Sequence, residues 1–143
     1  MILEHNDAGA LGVIVNRPLD EELGDELGEW RSFLTPPSTV FDGGPVEPMA
    51  LIGIARRDVG WESVDLSVGP QFTVERLRVF RGYSGWGAGQ LDNEIEQGAW
   101  MVFAANDEDL FTTVPGGMWR SVLRRQGGRT AWLADAPDDL SMN

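Results

Sequence analysis

The chain has 143 residues, a net charge of −12 and no cysteine. Disulfides and thiolate metal sites are excluded, and all eleven basic residues are arginine, which removes a lysine nucleophile, a Schiff base and a Walker lysine. So negative a chain repels nucleic acid at long range, so direct nucleic-acid binding is not expected. No apolar run approaches the roughly 18 residues of a membrane span. Met1-Ile2-Leu3-Glu4 lacks the basic start and apolar stretch of a signal peptide. The expectation is one soluble cytoplasmic domain over residues 1–143.

Ala10 to Asn16 is an apolar, β-branched run ending at Arg17-Pro18, which predicts a buried strand stopped by proline. Leu23 and Leu27 within Asp20–Gly28 predict a short acidic helix, weakened by Gly24. Thr35-Pro36-Pro37 is a loop, Thr39–Asp42 a strand, and Gly43-Gly44-Pro45 a turn or bulge. Met49–Ala55 is a second buried strand, and Trp61–Val68 reads as a weak strand pair. Leu77–Arg81 alternates and predicts a strand.

Gly82 to Gly89 holds four glycines, the only tyrosine and a tryptophan, so its loop shape is closely specified. Gln90–Gln97 follows as a helix with Gly98 at its C-cap, and uncharged Ala99–Ala104 as a strand. Asp107 is a plausible N-cap for a helical turn. Met118–Gln126 predicts a helix with Trp119, Val122 and Leu123 inward, stopped by Gly127-Gly128. Arg129–Ala134 is a last strand or short helix. Strands with scattered short helices give an α+β fold with a mixed sheet.

Several segments carry a family likeness in chain order. They are His5 with Ala10–Pro18, then Phe41–Val46, then Arg78–Leu91 continuing through Gly98-Ala99-Trp100, and finally Trp119–Gly127 with Pro137-Asp138-Asp139 to Asn143. Together they resemble the YqgE/AlgH family of bacterial proteins. The resemblance implies a domain with a barrel-like mixed sheet flanked by helices. It implies no established activity, although one branch of the family is labelled a transcriptional regulator. Family members usually begin with a further segment that ends at the position of Glu4-His5. A chain starting inside that strand is expected to expose a sheet edge, which invites pairing with another chain, and to be less stable than a longer version.

Each chemical reading has a structural competitor. Backbone N–H groups from Gly87 to Gln90, helped by Arg81, offer a cradle for an anion. Alternatively, Trp86 and Tyr83 plug a core and the glycines permit close packing, and the acidic residues of the next helix favour this alternative. Arg17 after Asn16 can bind a carboxylate or phosphate, or pair with an acidic neighbour. Asp42 and Glu47, with Glu4 and His5, fit no metal loop, and a turn is the simpler role for Asp42-Gly43. Ser84 lacks a nucleophile-elbow pattern. Arg120, Arg124, Arg125 and Arg129 make the only basic cluster, a poor footprint for DNA.

The leading expectation is a binding or interaction module, or an indirect regulator. Asn16, Arg17, Asp42, Gly43, Gly44, Tyr83, Trp86 and Gln90 would recognise a small anionic ligand or a protein partner, without cofactor or metal. The alternatives are an enzyme of unknown reaction, with Arg17 orienting substrate and Asp42 or Glu47 as base, and a transcriptional regulator.

Overall fold

A computed structural model describes residues 1–137. The stretch from Asp138 to Asn143, part of the family likeness, lies outside the described residues. The architecture is α+β: a mixed seven-stranded sheet with short helices after its last strand.

The sheet is organised around its longest shared strand, β7 (Arg76–Gly87). The first half of β7 pairs antiparallel with β5 (Val46–Arg57) and parallel with β4 (Thr39–Asp42). Its second half pairs antiparallel with β2 (Gly9–Gly12). Outside these, β1 (Ile2–Asn6) pairs with β2, β3 (Pro18–Glu22) with β4, and β6 (Gly60–Val64) with β5. The path β1-β2-β7-β4-β3 ends in two strands that do not meet. The sheet is therefore open, and the expected barrel-like closure does not form: a strand shared by three partners branches the sheet.

The sequence Leu77-Arg78-Val79-Phe80 is buried throughout because both faces of β7 are covered. On one face Leu77 and Val79 pack with Val40, Ala55, Leu23, Leu27 and Trp30. On the other, Phe80 packs with Phe41, Ile54, Val13, Val15, Leu110 and Phe111. Period-2 alternation along β4 (Val40 to one side, Phe41 to the other) sorts the residues between the two clusters.

Several expected elements differ. The strand expected over Ala10–Asn16 ends at Gly12, although Val13 and Val15 stay buried. There the main chain turns to other partners, Val13 N–H donating to Met1 O and Ile14 N–H to Gly43 O. The acidic helix expected over Asp20–Gly28 is divided between β3 and a 3-10 segment, Asp25–Phe33, broken at Gly28 with φ 51°. Acidic side chains exposed along β3 suit an edge strand, while Leu23 and Leu27 still reach the core. Gly82–Gly89 is mostly not a loop, because β7 runs on to Gly87.

The helices are α1 (Gln90–Glu96), α2 (Asp107–Leu110), α3 (Pro115–Gln126) and α4 (Gly128–Trp132), with a 3-10 turn over Leu133–Asp135. Residue Asn106, not Asp107, caps α2: it accepts from Asp109 N–H at 3.2 Å, and the Asp109 carboxylate accepts from Asn106 N–H at 2.9 Å. Ala99–Ala104 forms no strand. On α3, Leu123 is buried but Trp119 is exposed.

Candidate functional site

The three sequence motifs meet at the bend of β7. Main-chain bonds link Asp42 N–H to Arg17 O at 2.8 Å and Gly43 N–H to Arg81 O at 2.9 Å. The hydroxyl of Ser84 donates weakly to Gly43 O, at 3.4 Å. Close approach explains the glycines: a Cβ on Gly43 would lie 2.2 Å from Gly82 O, and one on Gly44 2.4 Å from the Tyr83 main chain. Asp42, Gly43 and Gly44 are thus occupied by strand packing, with the Asp42 carboxylate accepting from Gly44 N–H at 3.1 Å. Tyr83 packs against the Phe41–Phe80 cluster. Arg17 is exposed beside Asn16. Trp86 and Gln90 lie further along, toward α1.

Only Asn16 and Trp86 of the eight expected residues line the large apolar groove, which encloses about 660 Å³. One wall is the start of the chain with Gly12–Asn16, and another is α1 through Leu91 and Ile95. The six residues 100–105 and the α3 side chains Met118, Trp119 and Val122 complete it. His5, Asn16, Ser84 and Asp109 are its polar or charged members. The sequence carries one signal for it, the uncharged run Ala99–Ala104, which reads as a strand.

Glu94 ties the groove's α1 end together. Its carboxylate accepts from Trp86 Nε1 at 3.0 Å, Trp100 Nε1 at 2.8 Å and Gln90 Nε2 at 3.0 Å. The bonds from Trp100 and Gln90, with a smaller one from Trp86, hold its pKa below the ordinary value against a modest desolvation effect. The indoles of Trp86 and Trp100 meet edge to face, centroids 6.0 Å apart. Gln90 also accepts from Gly87 N–H at 3.0 Å, so one amide of the anion cradle expected from sequence has an internal partner.

Asp109 is buried at another wall. Burial alone would raise its pKa; two bonds from Arg125, at 3.0 and 2.6 Å, the Asn106 N–H and the arginine's charge outweigh that and lower it. This carboxylate is saturated and poorly placed to act as a base. The other α3 arginines are engaged too: Arg124 pairs with Asp135 at 2.8 Å and Arg120 donates to Ala134 O. His5, one of the groove's lining residues, meets Asp92 at 3.1 Å. Among the described residues, no three histidine or carboxylate side chains converge where a cation would sit, and no helix is long and apolar enough to cross a membrane.

Among the described residues, Arg78 is the largest buried side chain, 1% exposed, and its hydrogen-bond partners there are all main-chain carbonyls. Its guanidinium donates to Thr35 O (3.0 Å), Pro37 O (3.2 Å) and Thr112 O (2.6 Å), with longer bonds to Leu110 O and Pro36 O. It also lies 4.4 Å from the Phe41 ring centre. Burial lowers its pKa well below the ordinary guanidinium value, to about 10. It clamps the loop before β4 to the loop after α2, and so supports the 100–112 side of the groove.

An open mixed sheet carrying an apolar groove between its edge and three helices defines an α+β domain of the AlgH type. The chain belongs to the AlgH-like family (DUF179), which matches residues 1–131. It is 39% identical to a UPF0301 protein of Streptomyces coelicolor, over all of this chain and 84% of the relative. It is 42% identical to one of Thermobifida fusca, over 96% of this chain and 81% of the relative. The Streptomyces alignment spans 162 positions, so that relative carries internal residues that this chain lacks. Among solved structures, a crystal structure of a Corynebacterium diphtheriae protein superposes with a TM-score of 0.81 at 28% identity, covering 96% of this chain and 81% of that one. The solution structure of the AlgH protein of Pseudomonas aeruginosa superposes with a TM-score of 0.67 at 24% identity, covering 96% and 83%, and supports the fold alone.

Proposed function

We propose that this protein is a cytoplasmic interaction module whose apolar groove recognises a protein partner. The observation that carries this is the groove itself, with Trp100, Met101 and Val102 half to two-thirds exposed around it (50%, 53% and 68%). Apolar side chains clustered in one concavity mark binding surfaces on soluble proteins. The Asp42 carboxylate, a base in the enzyme alternative, is taken up by Gly44 N–H at 3.1 Å, which weighs against that alternative. Pairing of Arg124 and Arg125 with carboxylates, together with the net charge, makes any transcriptional role indirect. The small anionic ligand is the second reading, and it rests on exposed Arg17.

Tryptophan emission reports the choice, because Trp86, Trp100 and Trp119 line the groove. The protein is titrated with short apolar peptides and, separately, with nucleotides, phosphate and organic acids. Binding of peptides that is lost in Trp119→Ser and kept in Arg17→Ala supports the interaction module. Binding of an anion that is lost only in Arg17→Ala replaces it with the ligand site. No response to any of them removes both.

A further inference from the structure

The two halves of the 100–112 wall are attached to the rest of the protein in different ways. Residues 107–112 are pinned. Asp107 pairs with Arg56 of β5 at 2.6 Å, Glu108 with Arg76 of β7 at 3.1 Å, and Asp109 with Arg125 of α3 at 2.6 Å. Arg78 holds the carbonyls of Leu110 and Thr112, and the Leu110 and Phe111 side chains are buried. Residues 100–105 have little of this. Among the described residues they make no main-chain hydrogen bond to another main-chain group, and all but Phe103 are exposed. Few buried contacts and water-facing main-chain groups mark a segment that opens at low cost.

Two polar clips hold that segment. Trp100 Nε1 donates to Glu94 at 2.8 Å near one end, and Ala104 O accepts from Arg125 Nη2 at 3.1 Å near the other. Each clip is built on a group that keeps other partners when the segment leaves. Glu94 retains the bonds from Trp86 and Gln90, and Arg125 retains both oxygens of Asp109. The released indole N–H and carbonyl belong to exposed residues and pass to water, so no polar atom is left buried without a partner. The apolar holds are the edge-to-face contact of Trp100 with Trp86 and half-buried Phe103. The chain enters the segment through Gly98, at φ 77°, where an added Cβ would meet nothing within 4 Å. It leaves at Asn106, the cap of α2. We infer that residues 99–105 are a strap that swings between Gly98 and Asn106, with its clips closed in this structure, and that its release widens the groove it lines.

Nitroxide labels test this, because the chain has no cysteine of its own. The strap pair joins Val102→Cys to Ser121→Cys on α3, and the control pair joins Glu96→Cys on α1 to Ser121→Cys; all three positions are exposed. Pulsed dipolar spectroscopy should give one narrow distance for the control pair and two populations for the strap pair, the shorter being the clipped one. Trp100→Phe keeps a ring and removes the N–H, so it should raise the ratio of longer to shorter distances about fivefold. Glu94→Ala removes the same bond from the other side and should act in the same direction. Circular dichroism checks the fold of each variant. A strap-pair distribution that neither variant moves overturns the inference, and so does a shift that the control pair shares. The measurement needs no ligand, so failure of apolar peptides to bind would remove the interaction module and leave the strap standing.

Discussion

Replacing Arg78 with methionine should destabilise the fold by about 3–4 kcal/mol. Three carbonyls, that of buried Thr35 and those of half-buried Pro37 and Thr112, lose donors within 3.2 Å. At about 2 kcal/mol for each orphaned group, that loss is roughly 6 kcal/mol. The contact with Phe41 adds about 1 kcal/mol. Against this, the variant no longer buries a cation, and a guanidinium pKa pushed down to about 10 by that burial corresponds to about 3 kcal/mol recovered. The remainder is a large share of the roughly 5–15 kcal/mol that holds a typical domain. Urea unfolding at pH 7, followed by tryptophan fluorescence, measures it. Arg78→Lys should recover only part, because an ammonium cannot span the carbonyls that a planar fork reaches. A methionine variant within about 0.5 kcal/mol of the parent, the range of an ordinary surface change, would refute the clamp.

Because the folded Asp109 carboxyl has a lowered pKa, its stabilisation is complete above the ordinary value of 3.8 and is lost as pH falls through the folded value. Asp109→Asn should therefore be less stable than the parent at pH 6 and lose less on going to pH 3, as read from urea midpoints; parallel losses would contradict the assignment. In Gly43→Ala the new methyl meets Gly82 O at 2.2 Å and forces β4 from β7, costing about 2 kcal/mol or more; an unchanged melting temperature would show that the strands yield easily. Glu94→Ala frees two indole N–H groups, so two of the six indole signals in a nitrogen–proton NMR spectrum should shift and exchange faster, while Glu94→Gln keeps an acceptor for them.

The elements legible in the sequence are those whose side chains answer to one local rule. Thr39–Asp42 matches its strand at both ends, and Gln90–Glu96 is helical where the Leu91–Ile95 spacing placed a helix. The Leu23–Leu27 pair did announce burial, but i, i+4 spacing also suits a strand end followed by a 3-10 turn. Glycines hid the second half of β7. Gly82, Gly85 and Gly87 look like loop residues, yet Gly82 is there because Gly44 O would sit 2.4 Å from its Cβ, a fact of another strand's position. Uncharged Ala99–Ala104 reads as a strand, and no local pattern states that no described strand lies beside it. The three motifs meet through main-chain bonds from Asp42 to Arg17 and from Gly43 to Arg81. The groove was not legible, because its walls come from segments more than a hundred positions apart in the chain.

The central position of β7 also bears on the order of events during synthesis. Strands β2, β4 and β5 all lie N-terminal to it, and each takes it as a neighbour. Until residues 76–87 leave the ribosome, these apolar strands lack their common partner. Early pairing is confined to the hairpins β1–β2, β3–β4 and β5–β6, and the sheet then joins in one late step of high sequence separation. Such topologies fold slowly and expose unpaired edges while they wait. A nascent chain paused between β6 and β7 is therefore the species most in need of a chaperone.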